Sequence, residues 1–155
     1  SILGVLSAYQ DTHDKKYLDR AKFFVDTWAK PWQDKYDGGF NDQLWMYGLV
    51  YEAYDKYYRL TDEKETEQYF LKAINTAMAE EASGSKHNTA PGLSAMSLAG
   101  YGFAYDYTGD KRYLDYGLSV LEKATNADGN RVKTFAQQYR SSPYFLKVLT
   151  IDYLK

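Results

Sequence analysis

Cysteine is missing from the 155-residue chain, which excludes disulfides, thiol nucleophiles and thiolate metal sites. Because many secreted proteins also lack it, the compartment stays open. Histidine is scarce: only His13 and His87 occur, 74 residues apart. Neither Glu-x-x-His nor His-x-x-x-His spacing is present, so no metal and no cofactor is expected. A Gly-rich phosphate loop, a Gly-x-Ser-x-Gly elbow and a dinucleotide fingerprint are likewise lacking. The formal charge is −2 without blocks of one sign, which argues against nucleic acid as a partner. No run approaches the roughly 18 to 20 apolar residues of a membrane helix. The amino terminus carries no basic-then-apolar leader, so neither a membrane nor a targeting step is expected. Ser1, followed at once by an apolar helix over residues 2 to 9, reads as the start of a mature or excised segment.

What is plentiful is aromatic surface. Aromatics make up 17% of the chain, with 17 tyrosines, inside a composition ordinary for one globular domain. An Ala-Tyr pair followed by Asp recurs at Ala8-Tyr9 to Asp14, Ala53-Tyr54 to Asp62 and Ala104-Tyr105 to Asp110. The implied repeats of 45 and 51 residues lie near the period of two-helix units. Tyrosine followed four residues later by a small residue recurs too, as Tyr17 and Ala21, Tyr69 and Ala73, Tyr113 and Gly117. Helical periodicity places Tyr17, Ala21, Phe24, Val25 and Trp28 on one face, and Tyr113, Gly117, Val120, Leu121 and Ala124 on its counterpart. The small residue allows close helix approach, and each Asp stands where a helix N-cap is expected.

Residues 41 to 58 and 91 to 107 read as helices buried on several sides. They alternate with charged helices near 14 to 30, 62 to 82 and 110 to 125. A terminal pair over 130 to 140 and 143 to 154 is expected to break at Ser141-Ser142-Pro143. The fold class is therefore all-α, with antiparallel helical hairpins stacked in two curved layers over residues 1 to 155.

Loops entering the buried helices, Pro31 to Phe40 and Ala82 to Ala90, are longer than the turn Thr108-Gly109. Extra length on one edge of a repeat array commonly marks the binding edge. On this edge Trp32, Asp34, Tyr36, Phe40, Asn41, Asp42 and Trp45 are expected to converge with Lys86, His87 and Asn88, joined by Arg131 and Gln137. Asp42 and His87 are the candidate acid and base. Asp42 reads equally as a helix cap, and His87 as a solvated loop residue. Trp32, Tyr36, Trp45, Asn88 and Arg131 are the candidate substrate-binding set, with Trp45 also readable as core. Aromatic faces beside carboxylates are compatible with carbohydrate chemistry.

Tyr107-Thr108-Gly109-Asp110-Lys111-Arg112-Tyr113-Leu114 resembles the Tyr-x-x-Thr-Gly-Asp-x-x-Tyr-Leu turn of bacterial carbohydrate-active (α/α) toroids. Weaker copies stand at Tyr9 to Leu18, with His13 in place of glycine, and at Tyr57 to Phe70, with an insertion. Asp37-Gly38-Gly39-Phe40 followed by Trp45 resembles the entry to inner helices in unsaturated glucuronyl and rhamnogalacturonyl hydrolases and in polysaccharide lyases. The resemblance implies the C-terminal portion of a six-hairpin toroid, rhamnogalacturonan lyase-like. It implies action on acidic polysaccharide, with the remainder of the parent polypeptide completing the ring. A non-catalytic helical-repeat module for peptide or glycan is the alternative.

Overall fold

A computed structural model describes residues 1–40, 44–83, 94–126 and 132–152, with side chains at 1–40, 46–83, 94–126 and 139–151. Among the described residues there are helices and turns and no strand, and no helix is long and apolar enough to cross a membrane. The helices are α1 (Ile2–Thr12), α2 (Lys15–Phe24), α3 (Lys30–Lys35), α4 (Leu44–Thr61), α5 (Lys64–Ala82), α6 (Leu98–Thr108), α7 (Arg112–Asn126) and α8 (Val132–Asp152). A π-helical turn, Val25–Ala29, joins α2 to α3, and a 3-10 turn, Ala95–Ser97, leads into α6. Helices α1 and α2, α4 and α5, and α6 and α7 pack as hairpins, while α4 touches α1 and α6, and α8 lies on α6.

Three turns share one chemistry. Thr12, Thr61 and Thr108 each return their hydroxyl to the carbonyl four residues back, at 2.6, 2.8 and 2.7 Å. The same hydroxyl oxygen accepts the amide of Asp14, Glu63 or Asp110. Between threonine and acid sits a left-handed residue, His13, Asp62 or Gly109, with φ of 56°, 54° and 68°. Its amide closes the preceding helix onto Tyr9, Tyr58 or Tyr105, at 2.7 Å in every copy. Asp14 and Asp110 then accept the amides of Lys16 and Arg112, as N-cap carboxylates do.

This geometry corrects the expected register. The turn threonines stand 49 and 47 residues apart, not 45 and 51, and the second copy carries no insertion. Asp62 is the left-handed residue rather than a cap; Glu63 takes the N-cap position. Ala53-Tyr54 misled because a slip of four residues is one helical turn and preserves the buried face. In the corrected register Ala21, Phe70 and Gly117 correspond, all buried.

The buried and amphipathic helices alternate as expected. Leu98 to Ala104 are buried without interruption, whereas α7 buries one stripe, Tyr113, Leu114, Gly117, Val120 and Ala124. Helix α8 departs from expectation, for it runs unbroken through Pro143. The proline forfeits one backbone hydrogen bond, but Phe145 and Val148 just beyond it are buried and hold the helix against α6 and α7.

Phe145 explains Gly117. A Cβ there would lie 2.4 Å from the Phe145 ring. Gly117→Leu is therefore expected to cost about 1–3 kcal/mol through overpacking, read as a lower urea midpoint at unchanged m-value. An unchanged midpoint would mean that α7 and α8 do not meet at this position.

Candidate aromatic groove

The turn Val25–Ala29 is where the first hairpin departs from the others. Ala77 and Ala124 stand sixteen residues after their turn threonines and are buried. Trp28 holds that position in the first copy, yet the Lys30 amide bonds the Val25 carbonyl five residues back, so the backbone carries one extra residue. Ala29 packs against the core instead, and Trp28 is 65% exposed. The expectation that Trp28 shares the buried face of α2 is thereby corrected. A π-turn inside a helix is frequently found at functional sites.

Trp28 and Trp32, the latter 49% exposed, edge an open groove of about 600 Å³, within the roughly 300–1,000 Å³ typical of small-molecule sites. Its other walls are Ile2 and Leu3 of α1, Phe24, and Met46, Leu49, Val50 and Ala53 of α4. Phe40 and Tyr47 continue the aromatic wall inward. Trp32 meets Phe40 edge-on at 6.5 Å between ring centroids, and Phe40 meets Tyr47 at 5.1 Å. The Tyr47 hydroxyl accepts the Phe40 amide at 2.9 Å and donates to Glu80 at 3.4 Å. Arg140 reaches the rim from α8 and donates to Glu52 at 2.6 Å.

Behind this wall lies a group of phenols. Tyr51 is fully buried and its hydroxyl has no hydrogen-bond partner among the described residues; burial pushes its pKa well above the usual phenol value. Burial does the same to Tyr101, and to Tyr116, which donates to Glu81. Near neutral pH these phenols keep their protons and do not serve as bases.

A second polar group sits at the opposite, short-turn edge. Burial pushes the Asp55 carboxyl up, although it accepts from Tyr107 and from Arg59 at 2.7 Å. Arg59 lies over the Phe103 and Tyr107 rings and reaches Asp106 at 3.4 Å, while Tyr144 donates to Asp106. Each charge already has a partner, which marks a structural network. Asp26, Glu63 and Glu65 come close enough to share a cation, but the Lys30 ammonium already bonds all three.

Of the residues expected to form the site, Trp32 and Phe40 line the groove. Tyr36 ends α3 with the Lys35 ammonium 5.3 Å from its ring, away from the groove lining. Asp34 accepts the Tyr69 hydroxyl at 2.7 Å, and Phe40 is buried. Asn41, Asp42, Lys86, His87, Asn88 and Arg131 lie outside the described residues, as do the side chains of Trp45 and Gln137. Phe24, Trp28, Leu49, Val50 and Arg140 escaped sequence reasoning. The one signal for Trp28 was the extra residue separating Val25 from an alanine matching Ala77 and Ala124.

The described residues form an all-helical array of hairpins with an aromatic-edged groove. No protein-family model, curated protein or solved structure matches the chain.

Proposed function

We propose that the chain is the helical portion of a carbohydrate-active protein of (α/α) toroid type, and that its described part contributes glycan binding. The observation that carries this reading is the pair of exposed tryptophans, four residues apart, at the mouth of a ligand-sized groove. Flat indole faces supply large, rigid contact area for the apolar face of a sugar ring. The repeated short turns on one edge and long connections on the other are the arrangement a curved hairpin array needs to present a site on its loop edge. Binding is favoured over proton transfer because the acids beside the groove, Glu52 and Glu80, already hold Arg140 and Tyr47. Catalysis by Asp42 and His87 remains part of the proposal for the parent protein.

Titration of tryptophan fluorescence with neutral and acidic plant oligosaccharides tests the reading. Saturable quenching is expected, and Trp32→Ala should weaken it by about tenfold, the scale of one aromatic contact. Absence of binding across the panel would remove the glycan reading and leave the peptide-binding alternative.

A further inference from the structure

With no cysteine and three methionines against 17 tyrosines and three tryptophans, the chain has no thiols and few thioethers to absorb oxidising equivalents. Its oxidisable side chains are mostly phenols and indoles. Seven rings meet edge to face in one series: half-exposed Trp32, then Phe40, Tyr47, Tyr51, Phe70, Tyr107 and Tyr58, with centroids 5.0 to 6.5 Å apart. Such contacts are ordinary core packing; what sets this series apart is where its phenols can release a proton. A phenol is protonated at neutral pH and its oxidised form is a strong acid, so it yields an electron only as the proton leaves. A carboxylate on the hydroxyl marks where that can happen. Tyr47 donates to Glu80 at 3.4 Å, and Tyr107 donates to Asp55. Burial pushes the Asp55 carboxyl up, which favours its taking a proton. Between them, the Tyr51 hydroxyl has no partner among the described residues. Beyond Tyr107, the Tyr58 oxygen accepts from the Lys64 ammonium, a cation that opposes loss of an electron there.

We propose that this series is a relay that carries oxidising equivalents from Trp32 to Tyr107 and returns the groove indole to its reduced form. A one-electron oxidant in solvent, such as the carbonate radical anion, takes an electron from Trp32, and the indole proton leaves to water. The Trp32 radical regains an electron from Tyr47 and a proton from water, while the Tyr47 phenol passes its proton to Glu80 and becomes a tyrosyl radical. Tyr107 then supplies an electron to Tyr47 and its own proton to Asp55, and Glu80 returns its proton to the Tyr47 oxygen. A one-electron reductant in solvent, such as ascorbate, restores half-buried Tyr107 as Asp55 gives its proton back. Phe40, Tyr51 and Phe70 conduct through ring contact without being oxidised. The relay goes beyond glycan binding and does not depend on it.

Pulse radiolysis of the whole chain with the azide radical, a one-electron oxidant of indoles, tests the relay. Indolyl absorbance is expected to decay into tyrosyl absorbance in a first-order phase whose rate is independent of protein concentration. Trp32→Phe and Tyr47→Phe should each abolish that phase. Glu80→Gln keeps every ring but accepts no proton, and should slow it. Tyr107→Phe should retain the phase and leave the radical on Tyr47, read as a changed tyrosyl spectrum in freeze-quenched electron paramagnetic resonance. Conversion that scales with protein concentration, or that keeps its wild-type rate in Trp32→Phe, Tyr47→Phe or Glu80→Gln, would overturn the relay. An unchanged resonance spectrum in Tyr107→Phe would overturn Tyr107 as its end point.

Discussion

Gly48→Ala is expected to lower stability by about 3 kcal/mol, at the upper end of the range for overpacking a close-packed contact. A Cβ at this position of α4 would lie 2.2 Å from the Met96 carbonyl oxygen and 2.8 Å from its carbon. The obstacle is backbone in the 3-10 turn before α6, so no rotamer change relieves it. Relief requires α4 to move away from Ala95–Ser97, where Ala95, Met96 and Ser97 are all buried. The melting temperature should fall by roughly 10 °C for a chain of this size. Gly109→Ala is the control: a Cβ there meets nothing within 4 Å, so its cost is only the left-handed backbone, about 1 kcal/mol. Similar losses in the two variants would show that α4 and the 3-10 turn are not in backbone contact.

Lys30→Met is the second large effect, at about 2–3 kcal/mol. The Lys30 side chain is 7% exposed, and its ammonium lies 2.6 Å from Glu65, 3.0 Å from Asp26 and 3.1 Å from Glu63. Removing it leaves three carboxylates facing one another. Breaking a buried pair costs roughly 3–5 kcal/mol, and the partly exposed acids let water return some of that. The loss should depend on pH. Burial alone would raise the pKa of Asp26 and Glu63, but hydrogen bonds from Lys22 and Lys30, and from Thr66 to Glu63, outweigh it and hold both below the ordinary carboxylate value. Folded values below unfolded ones mean that these acids contribute stability at neutral pH and lose it as the pH falls through the folded values. Lys30, raised by the same contacts against burial, stays charged throughout that window. In Lys30→Met the three acids repel, and protonation relieves them. The gap between variant and wild type should thus narrow from about pH 7 to about pH 4, measured by urea midpoints. A gap that is constant with pH would assign Lys30 a packing role rather than an electrostatic one.

Much of the helical pattern was legible before any coordinate. The amphipathic stripe of Tyr113, Gly117, Val120 and Ala124 and the unbroken apolarity of Leu98 to Ala104 state the period and depth of burial directly. The caps at Asp14 and Asp110 were legible as well. The register of the second turn was not, because a four-residue slip keeps the same face inward, and the hydroxyl geometry of Thr12, Thr61 and Thr108 was needed to choose between alignments. Pro143 was read as a boundary for a sound local reason; the burial of Phe145 and Val148 overrode it.

Among the described residues, the candidate site was legible only at Trp32 and Phe40. Loop length pointed to the edge where the groove opens, but Trp28 was assigned inward because regular periodicity has no means of announcing an inserted residue. Lys30 and Gln33, both buried, carry no local sequence signal of burial. Their burial depends on partners more than thirty residues away: Glu63 and Glu65 for Lys30, and the Tyr69 carbonyl for Gln33.

By itself the sequence determined the all-helical class, the hairpin repeat, the short turns and the faces turned inward, because these follow from interactions among residues within a few turns of one another. The second turn's register showed only in the local hydrogen bonds of Thr61 and Asp62. Tertiary structure decided the continuity of α8 through Pro143 and the walls of the groove, because packing between segments distant in the chain outweighs a local preference of about one or two kcal/mol.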